Sequence, residues 1–97
     1  WIYASEADIL NIVMFGKTAK DWKIENPKMD GNPRDYASIE QLVVLASLES
    51  QNALLIEQGV DKTKRMELLS DLAQRQMKSL LTNPSVKKLS DKPLLEN

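Results

Sequence analysis

The stretch "SIEQLVVLASLESQNALLIEQGVDKTKRMELL", residues 38–69, holds one helix, a stop and the start of a second helix. Ser38 is a strong N-cap, because its hydroxyl can accept from the amide three residues on while Gln41 reaches back to the cap's own N–H. No Pro or Gly then occurs until Gly59, which can take the left-handed conformation that ends a helix. A helix over 38–58 follows. Leu42, Leu45, Ala46, Leu48, Ala53, Leu55 and Ile56 make a wide apolar face at helical spacing, and Val43, Val44 and Leu54 extend it nearly all round. A helix apolar on most sides is expected at the centre of its domain.

Working outward, Asp61 caps a helix over 61–81 whose apolar stripe is Met66, Leu69, Leu72, Ala73, Met77 and Leu80. Its opposite face carries Lys64, Arg65, Asp71, Arg75 and Lys78. Only Gly59 and Val60 separate the two long helices, which predicts an antiparallel hairpin. Upstream, Ser5 with Asp8 forms a near capping box for a helix over 5–15, closed by Gly16. Thr18 starts a shorter helix over 18–26, with Trp22 as a core residue, and Pro27 stops it. Residues 27–37 read as a loop, from which Tyr36 packs back on the central helix as a staple. The expected fold is a small all-α domain over 1–82: two short helices, then a long helix hairpin. The tail 83–97 packs on it through Leu89, Leu94 and Leu95.

Composition narrows the chemistry. With 97 residues, 42% hydrophobic and 28% charged, the chain makes one modest core of ordinary soluble balance. It begins at Trp1, not Met, which is expected of a fragment, a processed product or a chain whose true start is missing. Cys and His are absent, which removes disulfides, thiol nucleophiles, Cys/His zinc sites and the commonest general base near neutral pH. There is no Gly-rich phosphate loop and no Ser/His/Asp set, so we expect neither an enzyme nor a cofactor or metal site. No apolar run is long enough to span a bilayer and no signal-peptide pattern occurs; with no Cys, the expected location is cytoplasmic. A net charge of −1 lacks the overall footprint of a nucleic-acid binder.

Three constellations stand out. Glu49 falls beside Leu42, Leu45 and Ala53, where a carboxylate is costly unless paired. The expected partner is Arg34, in a structural polar network of Arg34, Asp35, Glu49 and Asn52 in which Asn52 bonds loop backbone. Lys62, Lys64 and Arg65 cluster in the first turn of the last helix. They fit either phosphate capture at a helix N-terminus or a solvated helix start. Residues 5–26 have the rhythm of a helix-turn-helix, with Lys17, Lys20 and Lys23 as candidate phosphate contacts. Asp21 and Glu25 nearly cancel that charge, and the second helix has no Arg, Asn or Gln before Asn26 to read base edges.

The segments "YASEADILNIVMFGKTAKDWKIENP", "GNPRDYASIEQLVVLASLESQNALLIEQG" and "RMELLSDLAQRQM" together resemble the C-terminal region of bacterial KilA-N domain-containing proteins, found in bacterial genomes and in mobile or phage-derived elements. The resemblance covers residues 3 to about 81, departing at Pro33, where an aliphatic residue is expected. In that family the DNA-binding KilA-N module lies upstream, and nothing in this chain looks like it. The resemblance therefore implies a helical interaction or oligomerisation module attached to a DNA-binding protein, with DNA contacted through the upstream part. The alternative is direct nucleic-acid binding by 5–26 or by the 62–65 cluster. Val43, Val44 and Leu54, outside the main stripe, together with the tail leucines, either leave apolar surface for a homodimer or another protein partner or are covered within one chain by the first helix and the tail.

Overall fold

Ser, Thr and Gly residues set the helix boundaries where their chemistry predicts. The computed structural model describes residues 4–82, which form helices α1 (Glu6–Phe15), α2 (Ala19–Glu25), α3 (Ile39–Glu57) and α4 (Lys62–Thr82). Ser5 and Asp8 close a capping box at α1, and Ser38 and Gln41 close another at α3. Thr18 caps α2 by accepting from the Asp21 amide at 3.1 Å, and Asp61 caps α4 by accepting from the Lys64 amide at 2.8 Å. Gly16 ends α1 at φ +81°. Among the described residues there is no strand, and the fold is an all-α helical bundle.

The core is built by three of the helices. Ile9 and Leu10 of α1 meet Val44, Leu45 and Leu48 of α3 and Met66, Leu69 and Ala73 of α4. Helices α3 and α4 pair along their length as an antiparallel hairpin, with α1 laid against both. The expected stripe of α4 faces inward, with Leu72, Met77 and Leu80 packed at the edge of the core. Helix α2 buries no residue and stands outside this packing. Trp22, expected in the core, is half-buried and lies against Tyr36, their ring centroids 5.5 Å apart.

The loop 27–37 contains a 3-10 turn, Pro33–Tyr36, started by Asn32 and Asp35 as a capping box. Gly31 precedes it at φ +83°, and a Cβ there would lie 2.1 Å from Oδ2 of Asp35. The left-handed conformation favours glycine there, and a Cβ would also displace the Asp35 carboxylate. Tyr36 is not the expected staple on α3: it is exposed, and its hydroxyl donates to the Asp30 carbonyl at 2.8 Å.

Helix α3 differs most from expectation. It is not enclosed on all sides among the described residues. Its inward face is Val44, Leu45, Leu48 and Asn52, so Val44, expected outside the main stripe, is fully buried. Leu42, Ala46, Ala53 and Ile56, expected to face the core, are exposed together with Val43 and Leu54. Among the described residues Asn52 bonds Glu6 and Arg65 rather than loop backbone, and Arg65, expected on the solvated face of α4, is buried. The tail 83–97 with Leu89, Leu94 and Leu95, and the aromatic residues Trp1 and Tyr3, lie outside the described residues.

Candidate interaction surface

Two features of α3 distinguish its two sides. On the inward side, at the end near the hairpin turn, three helices exchange polar contacts. Arg65 of α4 is 7% exposed. Its Nε donates to Oδ1 of Asn52 at 3.0 Å, its Nη1 to the Val60 carbonyl at 2.7 Å, and its Nη2 to Oε2 of Glu6 at 2.7 Å. Nδ2 of Asn52 completes a closed triangle by donating to Oε1 of Glu6 at 2.8 Å. Lys62 extends the group by donating to the Ala4 carbonyl at 2.6 Å. The Glu6 carboxyl is held below its usual range chiefly by the Asn52 hydrogen bond, with Arg65 and Lys62 helping and partial burial opposing. A guanidinium suits this place because its planar fork serves three acceptors at once.

Proximity to Leu48 and Leu69 was the available signal for this triangle. Asn52 follows Leu48 by four residues and Arg65 precedes Leu69 by four, so each continues an apolar stripe. The two positions flank the hairpin turn, which brings them face to face.

The expected network around Glu49 is only partly assembled. Arg34 Nη2 reaches Oε1 of Glu49 at 3.2 Å, but the two side chains are 43% and 47% exposed. An ion pair that open to water contributes about 0–1 kcal/mol to folding. Asp35 is occupied in its own turn, accepting from the Asn32 amide at 2.8 Å, and Asn52 belongs to the Arg65 triangle instead.

The candidate phosphate contacts are dispersed. Lys17 pairs with Glu25, and Lys23 donates to the Met29 carbonyl. Lys64 lies 3.6 Å from Glu67, Lys62 reaches Ala4, and the donors of Arg65 are committed to the triangle. Lys20 is exposed on α2. Arg65 is therefore removed from the set of surface cations. Among the described residues no group of three or more His, Cys, Asp or Glu is placed to hold a metal ion. No described helix is long and apolar enough to cross a membrane.

Away from Val44 and Leu48, a second set of apolar side chains is exposed round the outward half of α3 and its flanks. Ile39, Leu42, Val43, Leu54 and Ile56 are 37%, 41%, 50%, 47% and 45% exposed. Ala46, Ser50 and Ala53 lie between them and are exposed too. Val43 also lines a shallow groove toward α4 with Ser47, Gln76, Ser79 and Leu80. Single exposed apolar residues are normal on proteins, whereas several along one helix favour a contact there.

Comparison of the chain with protein-family models, curated proteins and solved structures finds no match.

Proposed function

We propose that this chain is a non-catalytic helical interaction module, acting through the outward face of α3. The observation that carries this reading is that α3 bears apolar residues on most of its circumference while the described residues pack on only one side of it. Five large aliphatic side chains exposed on one helix, Ile39, Leu42, Val43, Leu54 and Ile56, oppose solubility unless something covers them in use. The resemblance to the C-terminal region of KilA-N domain-containing proteins supplies the setting: the module holds together a cytoplasmic DNA-binding protein of bacterial or mobile-element origin, whose DNA contacts lie upstream. Direct nucleic-acid binding by the 62–65 cluster is the weaker reading, because Lys62 and Arg65 spend their donors on Ala4, Asn52, Val60 and Glu6.

Val43→Glu tests the interaction reading. A substitution on a face that the chain itself does not cover changes stability by about 0.5 kcal/mol or less. The full chain at sub-micromolar concentration is expected to melt within about 4 °C of the parent. A fall of more than about 10 °C would mean that the face is packed within the chain, and would overturn the reading.

A further inference from the structure

Two hollows of about 400 Å³ each share Met14 and Gln41 as walls and so continue one another as an elongated groove at the end of α1. The first lies between α1 and α4, with Ile12, Val13 and Met77 on its sides and Ser70 and Gln74 along it. The second lies between the end of α1, α2 and the 3-10 turn, walled by Phe15, Trp22 and Tyr36. We infer that this groove takes an extended, uncharged, proline-containing segment of another protein. None of Ile39, Leu42, Val43, Leu54 and Ile56 lines it, so it is a second site, independent of the role proposed for the outward side of α3.

Charge and hydrogen bonding set the character of the occupant. Among the described residues the groove's lining holds one ionised side chain, Lys17, and that one is paired with Glu25. A phosphate or carboxylate would find no unpaired cation there, and a cation no carboxylate, so the matching segment is neutral. Asn26 Nδ2 donates to the Trp22 carbonyl at 2.8 Å, which leaves Oδ1 as a free acceptor, and Gln41 Oε1 accepts from the Ser38 amide at 2.9 Å, which leaves Nε2 as a free donor. With Gln74 and Ser70, neutral polar groups thus recur along both hollows. They suit a chain whose backbone N–H and C=O groups are unpaired, which an extended segment offers and a helix does not.

The aromatic end adds the proline. The Trp22 and Tyr36 rings stand 5.5 Å apart, tilted by 31°. Tyr36 is 54% exposed while its hydroxyl is held by the Asp30 carbonyl, so the ring is fixed in place and open to contact. Neighbouring Trp and Tyr rings are the surface on which the rings of a polyproline II segment pack. Among the described residues the Trp22 indole N–H has no acceptor. It and Gln41 Nε2 are donors suited to a segment that presents carbonyls with few N–H groups, as a proline-containing one does. Helix α2 buries no residue, and carrying Trp22 to this groove gives it a role.

The chain has two Trp residues, so Trp1→Phe leaves Trp22 as the single indole of the full chain, and its emission reports the groove during titration with decaproline. The expected result is a saturable change with a Kd of about 10 µM to 1 mM. Tyr36→Ala at the aromatic end and Gln74→Ala at the other end, both at exposed positions, are each expected to weaken binding at least about five-fold with helicity unchanged. A Gly-Ser peptide of the same length is expected to give no saturable change. Val43→Glu is expected to leave decaproline binding as it is, which keeps this test apart from that of the outward side of α3. No saturable change up to about 5 mM decaproline, an equal response to the Gly-Ser peptide, or full binding by Tyr36→Ala or Gln74→Ala would overturn the inference. Preferential binding of a deoxythymidine decamer would overturn it too, in favour of a single-stranded nucleic acid stacked on Trp22 and Tyr36.

Discussion

Arg65 on α4 holds Asn52 on α3 across the mouth of the helix hairpin, Nε to Oδ1 at 3.0 Å, and both side chains then grip the Glu6 carboxylate of α1. One arginine thereby ties the first helix to the last two. Asn52 and Arg65 are each less than 10% exposed, so neither can turn to water when a partner is lost.

Arg65→Ala is expected to cost about 2–4 kcal/mol. Breaking a buried ion pair from one side costs about 3–5 kcal/mol, and Glu6, being partly exposed, recovers some hydration. For a domain of this size that is a fall in melting temperature on the order of 10–25 °C. Arg65→Lys keeps the charge but puts one nitrogen where three acceptors need serving, and should lose more than half as much. Thermal melts of both variants check this, and a change within 3 °C for Arg65→Ala would contradict the triangle's role.

The difference between what was legible in the sequence and what was not follows from which interactions are local. Ser5 with Asp8, Thr18 with Asp21, and Ser38 with Gln41 act within one turn, so caps and helix ends could be read directly. The stripe of α4 was equally clear, because its other face is charged. Helix α3 offers no such contrast: Val43 and Val44 are equally apolar, and only the positions of α1 and α4 decide that Val44 turns inward. The Arg34–Glu49 pair was legible as an unpaired acid near a loop arginine, but its exposure was not. Arg65 was misplaced because its neighbours Lys62 and Lys64 made it look like one of a surface cluster. Its partner Glu6 is 59 residues away, a distance no local pattern reports.

Acid should loosen α1 first. The folded-state pKa of Glu6 lies below its unfolded value, mainly through the Asn52 hydrogen bond. Its contribution is therefore fully present above the ordinary glutamate value of about 4.3 and is lost as pH falls through the lower folded value. Glu6→Gln should remove that part of the acid sensitivity, so that urea melts of the variant lose less stability than the parent between pH 5 and pH 3. Equal losses would show that Glu6 is not linked to folding.

Duplex DNA is not expected to bind this chain alone. Lys17, Lys23, Lys62, Lys64 and Arg65 are all engaged within the protein. A fluorescence titration at low micromolar protein should show no salt-sensitive binding. Binding that falls steeply with salt, and that Lys20→Glu with Lys64→Glu abolishes, would establish the direct nucleic-acid reading in place of the interaction role.

Sedimentation equilibrium of the full chain, alone and as Val43→Glu, tests the outward face of α3 most directly. The account predicts a reversible monomer–dimer equilibrium in the micromolar range for the parent. It predicts a monomer of unchanged helicity for the variant, in which a carboxylate stands among the exposed apolar side chains of α3. A parent chain that stays strictly monomeric at several hundred micromolar, or a variant that dimerises as well as the parent, would contradict it.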